Sequence, residues 1–176
     1  MALSFQDYLR TEIYGGSEPS LPKKLFFRYY NPATNAVFLL RRLQHTRATV
    51  WGKLQRKHYA ARLVHKYGIF VRPDNAIGIG LRLPHPNGIV IGHSVRIGDN
   101  CLIYQQVTIG SARSDDPRQP QIGDRCTLYA GAKVLGAIVV GDAAVVGANA
   151  VLLQDAPPNS VLVGIPAKAL LPRHNR

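Results

Sequence analysis

Between Val71 and Leu152 the chain places Val, Ile or Leu at Val71, Ile77 and Leu83, then at Ile91, Ile97, Ile103 and Ile109, then at Ile122, Leu128, Val134, Val140, Val146 and Leu152. Within each run the step is six residues. Neither the 3.6-residue period of a helix nor the two-residue alternation of a half-buried strand gives that spacing, so the segment reads as a solenoid of hexapeptide repeats, a parallel β-helix. Ile77, Ile91, Ile97, Ile109, Ile122, Val140 and Val146 are each followed directly by Gly. Every unit is then a short strand with one aliphatic side chain pointing inward, followed by a residue small enough to let the backbone turn. Three units close one triangular coil. Stacked coils bury a continuous aliphatic column while their backbone groups pair with one another, and stability must come from there.

Two irregularities break the step. Two extra residues fall between Leu83 and Ile91, in the stretch Pro84-His85-Pro86-Asn87-Gly88, and a longer insertion running from Ser111 to Gln121 separates Ile109 from Ile122. Insertions in solenoids collect as loops on one face, commonly the binding face.

The N-terminal third follows a different pattern. Ser4 with Asp7 three residues later, and Phe5, Tyr8, Leu9 and Ile13 spaced for one face, predict a short capped helix ending at Gly15-Gly16. Asn31-Pro32 offers a cap and a first-turn proline, and Val37, Leu40, Leu43, Val50, Leu54, Leu63 and Val64 continue an amphipathic pattern towards Tyr67-Gly68, with a break near Gly52. The expected organisation is a helical, basic N-terminal segment over residues 1–68, a hexapeptide-repeat β-helix over 69–156, and a C-terminal cap and tail over 157–176.

Charge sharpens this division. The formal net charge of the 176 residues is +12, and residues 20–72 hold twelve Lys or Arg with no Asp or Glu. Aromatic and basic residues interleave in Lys23-Lys24-Leu25-Phe26-Phe27-Arg28-Tyr29-Tyr30. Such a segment either lies on an anionic membrane surface or is a solvated helical cap whose aromatics pack on the open end of the solenoid. Nucleic acid is set aside as a partner, because no recognition motif accompanies the charge.

Cys101 and Cys126 each stand two residues before an inward position and form no CxxC pair, so they read as reduced structural thiols. Gln6, Asp7, Arg10 and Glu12 interrupt any apolar core of a cleavable leader, and no apolar run is long enough to cross a bilayer. The expected location is cytoplasmic, with peripheral contact at the inner membrane surface as an addition.

The solenoid contains two histidines, His85 and His93. Zinc sites of the type found in solenoidal carbonic anhydrases need three imidazoles, so no metal is expected. His93 follows Ile91-Gly92 in register and reads as a coil-surface residue. His85 sits at a forced departure from the coil, between two prolines that stiffen the backbone and before Asn87-Gly88, which permits a tight turn. A rigidly displayed imidazole, with an ordinary pKa of about 6.5, suits a general base at neutral pH.

Residues 69–170 resemble the serine acetyltransferase branch of the hexapeptide-repeat acyltransferases. The resemblance is carried by His85-Pro86-Asn87-Gly88-Ile89-Val90-Ile91-Gly92, Ile97-Gly98-Asp99-Asn100, Tyr104-Gln105-Gln106-Val107-Thr108-Ile109-Gly110, Ala130-Gly131-Ala132-Lys133-Val134-Leu135-Gly136, Pro157-Pro158-Asn159-Ser160 and Val163-Gly164-Ile165-Pro166-Ala167-Lys168. It implies a mainly β fold, a left-handed parallel β-helix with a short helical N-terminal segment. It further implies a homotrimer with active sites between subunits, and acetyl-coenzyme A as donor. The histidine matching His85 is the family's general base, and the amide of Ser111, after Gly110, matches its oxyanion donor. By the same matching, the backbone around Ala130, Gly131 and Ala148 holds the pantetheine arm, and Lys168 approaches the coenzyme phosphates. Asn87, Arg118 and Gln119 match the acceptor side.

The chain departs from that branch at the acceptor. The family's aspartate fifteen residues before the histidine is here Phe70, its aspartate directly before the histidine is Pro84, and the histidine of its Arg-His pair is Gln119 beside a retained Arg118. An acceptor pocket without its acidic side suits a hydroxyl other than that of a zwitterion. The expectation is therefore an acetyl-coenzyme A dependent O-acetyltransferase acting on a sugar or glycan precursor. Serine O-acetylation for cysteine synthesis is the alternative within enzymes, and a non-catalytic solenoid binding a membrane or polyanion is the alternative outside them.

Overall fold

The computed structural model describes residues 4–16, 19–113, 115–116 and 118–170. Ser114 and Pro117 of the long insertion, and residues 171–176 of the expected C-terminal tail, lie outside the described residues.

From Phe70 onward the chain winds a triangular prism whose three walls are parallel sheets. The first wall is ordered β1 (Ala76–Ile77), β3 (Arg96–Ile97), β6 (Gln121–Ile122) and β9 (Val139–Val140). The second is ordered β4 (Leu102–Ile103), β7 (Thr127–Leu128), β10 (Val145–Val146), β12 (Val161–Val163) and an antiparallel β13 (Lys168–Ala169). The third is ordered β2 (Val90–Ile91), β5 (Thr108–Gly110), β8 (Lys133–Leu135) and β11 (Val151–Leu152). Register pairs Ile77, Ile97, Ile122 and Val140 in one column, Ile103, Leu128, Val146 and Leu162 in a second, and Ile91, Ile109, Val134 and Leu152 in a third. All but Leu162, which follows the end of the repeat, are six-step positions, and every one of them is buried. The residues two before them, among them Val95, Cys101, Val107, Cys126 and Ala144, fill the corners. Both cysteines are free, and the adjacent Cys126 thiol together with burial pushes the Cys101 thiol up, which keeps it inert.

The corners are satisfied by a repeated device. Between the first and second walls the Oδ1 atoms of Asp99, Asp124 and Asp142 accept the amides of Ile79, Asp99 and Asp124 in the coil before, each at 2.9 Å. Such a ladder pairs backbone donors that a turn would otherwise leave to water.

The helices close the open end of this prism. Ser4 and Asp7 form a capping box at the start of α1 (Phe5–Tyr8), which continues as a π-helical turn over Leu9–Ile13. A second short helix, α2 (Leu21–Leu25), runs into a similar turn over Phe26–Tyr30. Asn31 caps α3 (Pro32–His45), as its side chain and the following proline predict. Leu9, Ile13, Leu39, Leu40, Leu43, Leu63 and Tyr67 join Ile69, Ile77, Leu81 and Leu83 in one continuous core. The N-terminal segment packs on the open end through Leu9 and Ile13 of the first π-helical turn, through α3 and through the C-terminal part of α4 (Val50–Tyr67), whereas the expected aromatics Phe26, Tyr29 and Tyr30 are exposed.

Three expectations are corrected here. The helical pattern breaks at Thr46–Thr49, where Thr49 caps α4, and not at Gly52, which lies inside α4. A β-carbon on Gly52 would sit 1.8 Å from the Arg47 carbonyl oxygen, so the glycine serves the close return of the chain. Val50 and Leu54 belong to the exposed side of α4, because only its C-terminal turns reach the core through Leu63 and Tyr67. Arg41 is the third departure. It is buried, not part of a solvated basic face.

Candidate active site

The extra residues after Leu83 push the corner between the second and third walls outward. The C-terminal end of α4 supports this corner: Gly68 takes a left-handed conformation (φ 63°), and the Tyr67 carbonyl accepts the Gly88 amide at 2.8 Å. Gly68 and Gly88 approach so closely that a β-carbon on Gly68 would stand 3.4 Å from the Gly88 nitrogen. Pro86 is buried and the Asn87 amide donates to the His85 carbonyl at 2.8 Å, so the backbone that follows the imidazole is held. His85 itself is exposed.

Register carries this corner down the prism. Asn87 accepts the Gln106 amide, Gln105 accepts the Gly131 amide and Ala130 accepts the Asn149 amide, at 2.8, 2.9 and 2.9 Å. His85, Tyr104, Tyr129, Ala130, Gly131 and Ala148 therefore occupy one edge. Lys168, exposed on β13 and paired with Val163, ends it. The His85 ring lies 6.1 Å from the Tyr104 ring, and Tyr104 stacks on Tyr129 at 5.2 Å. Among the described residues the amides of Ala130 and Ala148 donate to no protein acceptor, whereas that of Gly131 is taken. This edge can thus hold an extended chain by backbone hydrogen bonds beside an exposed imidazole. The paired tyrosines were not singled out by the sequence reading, although each follows an inward position, Ile103 and Leu128, and so was bound to share an edge.

The remaining candidates stand elsewhere. Gly110, Ser111, Arg118 and Gln119 lie on the edge between the third and first walls. The strand and turn residues from Tyr104 to Gly110 cross the third wall, roughly 20 Å of extended chain, so His85 and Ser111 do not meet within one protomer. The Ser111 amide donates to no partner among the described residues, while the Gly110 carbonyl accepts the Gly136 amide at 2.9 Å. Arg118 donates from Nε and Nη2 to the two carboxylate oxygens of Asp116, at 3.0 and 2.8 Å, and this guanidinium holds the Asp116 carboxyl at about 2. Gln119 is buried against Gly92.

Phe70 is exposed on the third wall, bridged to Val90. Asp74, the next carboxylate along the chain after Phe70, lies at the other edge of that wall, where it accepts from Arg72 and Ser94 and so cannot orient His85 within the protomer. His93 is exposed on the coil surface. Among the described residues no three His, Cys, Asp or Glu side chains converge on a metal position, and no helix is long and apolar enough to cross a membrane.

Comparison with known proteins gives this geometry a context. No family model matches the chain. A serine acetyltransferase of Helicobacter pylori is 47% identical over 104 residues, covering 58% of this chain and 61% of the relative. The chain thus spans about three fifths of the length of that relative. The crystal structure of Neisseria gonorrhoeae serine acetyltransferase aligns with 95% of this chain and 65% of its own, at a TM-score of 0.79 and 27% identity. A serine acetyltransferase in complex with coenzyme A aligns with 84% of this chain and 60% of its own, at a TM-score of 0.70 and 26% identity. In the sequence of its coils and in its left-handed β-helical fold, the chain is similar to the serine acetyltransferases.

Proposed function

We propose that this chain is an acetyl-coenzyme A dependent O-acetyltransferase. The observation that carries the reading is the edge on which an exposed, backbone-clamped His85 stands above the unbonded amides of Ala130 and Ala148 and the cation of Lys168. A pantetheine arm laid along this edge brings its thioester to the imidazole, and Lys168 meets the coenzyme phosphates. His85 takes the proton of the acceptor hydroxyl as its oxygen attacks the thioester carbonyl. The carbonyl oxygen gathers negative charge, the C–S bond breaks, and the thiolate takes the proton back from the imidazolium, leaving an acetyl ester and free coenzyme A.

The oxyanion donor stands on another edge of the same protomer, which supports a homotrimer in which the His85 edge of one copy faces the Ser111 edge of the next. The active site is then shared between subunits. For the acceptor, the serine acetyltransferases among its relatives favour serine over the sugar expected from the sequence. A sugar or glycan hydroxyl stands as the second reading on one observation: Phe70 and Pro84 occupy positions where the family keeps carboxylates, and among the described residues no acidic side chain forms a hydrogen bond or ion pair with His85. Residues 20–72 support contact with an anionic membrane surface through Leu21, Phe26, Tyr30, Val50 and Trp51, all exposed among lysines and arginines.

Release of free thiol from acetyl-coenzyme A, measured with serine and with neutral sugars in turn, tests the proposal. Turnover with serine supports the first reading, and turnover with sugars alone replaces it by the second. Hydrolysis-level release with every acceptor overturns acyl transfer.

A further inference from the structure

Between the helical cap and the head of the second wall lie two recesses that share Arg82 and Glu12. The larger, of about 430 Å³, is lined by Tyr14, Phe27, Arg82 and Asn100 among others. The smaller, of about 160 Å³, is lined by Ala33, Thr34 and Val37 of α3 and reaches Pro84, the residue before His85. Glu12 brings the only carboxylate to either lining, and that carboxylate is already engaged by Arg41 and by the amides of Gly80 and Leu81. Arg82, the outward neighbour of Leu83, bridges Leu102 on the second wall. It is exposed and makes no salt bridge among the described residues. An aromatic pair borders the cation: Arg28 Nε donates to the Tyr14 hydroxyl at 2.9 Å, and the Tyr14 ring stands 6.4 Å from that of Phe27.

We infer that these recesses form a subsite for the phosphoryl end of a phosphorylated sugar whose free hydroxyl stands at His85, with Arg82 as its specificity residue. Arg82 and His85 are three residues apart, at most roughly 10 Å of extended chain. One hexose ring carrying a phosphoryl group covers that reach, whereas a three-carbon amino acid with its hydroxyl at the imidazole fills only the Pro84 end. The larger recess alone falls within the roughly 300–1,000 Å³ of small-molecule sites. A guanidinium meets a phosphoryl group through two parallel N–H donors. Water screens an exposed cation, so the nearly double charge of a phosphate monoester gains more from it than a single carboxylate does. Tyr14 and Phe27 add apolar ring surface for the sugar, and the Asn100 amide adds donors and an acceptor for its hydroxyls. This inference rests on the acyl-transfer reading with a sugar as acceptor, and names the class of that sugar.

The test titrates D-glucose 1-phosphate, D-glucose, D-glucuronate, UDP-glucose and inorganic phosphate calorimetrically into the native chain, Arg82→Gln and Arg82→Lys. Thiol release from acetyl-coenzyme A is measured with the same sugars and with serine. The expected result is binding of D-glucose 1-phosphate about tenfold or more tighter than that of D-glucose and of inorganic phosphate. Arg82→Gln brings this preference towards one, Arg82→Lys keeps part of it, and kcat/KM for the two sugars follows the same order. Still tighter binding of UDP-glucose supports the subsite and extends its ligand to a sugar nucleotide. Equal binding of D-glucose 1-phosphate and D-glucose, or unchanged binding in Arg82→Gln, overturns the inference while leaving acyl transfer intact. D-glucuronate bound as tightly as the phosphate ester overturns phosphoryl selection. A raised KM for acetyl-coenzyme A as the sole effect of Arg82→Gln assigns the residue to the donor and overturns the subsite. Absence of thiol release with every acceptor, serine included, overturns the enzymatic reading and the acceptor role with it.

Discussion

Glu12, on the π-helical turn after α1, and Arg41, on α3, form a buried ion pair, 2.6 Å between Oε1 and Nη2, that sits on the first coil of the prism. The same carboxylate oxygen accepts the Gly80 and Leu81 amides at 2.9 and 3.1 Å, and Arg41 donates to the Ile77 carbonyl at 2.8 Å and to that of Gly78. The guanidinium also lies 4.2 Å from the Tyr8 ring. Every charge here has partners, which is the condition for burying it.

Removal of one partner therefore leaves an uncompensated buried charge. Glu12→Ala is expected to destabilise the chain by about 3–5 kcal/mol, more than a surface pair of the same type, which contributes about 0–1 kcal/mol. Arg113→Ala, which breaks the exposed pair with Asp115, is the control and is expected to have little effect. Urea unfolding of both variants against the native chain measures the difference.

His85 and Ser111 on separate edges give the shared site a direct test. His85→Ala removes the proposed base and is expected to lower turnover by about 10²–10⁴-fold with folding intact. Ser111→Pro removes the amide donor and is expected to be comparably inactive. Co-assembly of the two inactive variants is expected to recover a fraction of native turnover, because some boundaries then pair an intact His85 edge with an intact Ser111 amide. Mixtures no more active than either variant alone would place the whole site within one protomer.

Gly52 sets two effects against each other. Helix propensity alone makes Gly52→Ala stabilising by about 1 kcal/mol, since glycine is costly inside a helix. Contact with the Arg47 carbonyl forbids the new β-carbon, and displacing packed backbone costs about 1–3 kcal/mol. The expected sign is destabilising, read as a lower urea midpoint. A higher midpoint would mean that the Thr46–Thr49 turn relaxes freely.

The chain's own pattern sufficed for the prism. An inward aliphatic residue at every sixth position can be buried only if the backbone turns after each short strand, so Ile97 and Val146 report their walls without reference to anything distant. The same periodicity exposed the His85 corner and the long insertion as departures. Local chemistry likewise sufficed for the Ser4 and Asn31 caps, which depend on neighbours within four residues.

What the periodicity could not contain is where the departures sit relative to one another. A six-residue step assigns each position to a wall, but the offsets of 20, 18 and 25 residues between successive coils, visible in Ala76 against Arg96, Val90 against Thr108 and Arg96 against Gln121, decide which outward side chains stack. Stacking brought Tyr104 and Tyr129 to His85 and set Ser111 on another edge. Arg41 shows the same limit from the other side. Its charge, read along the chain, joined a solvated basic stretch, and only packing against Glu12 and the carbonyls of the first coil made its burial favourable, because the energy of a charge depends on what surrounds it in space and not on what precedes it in sequence.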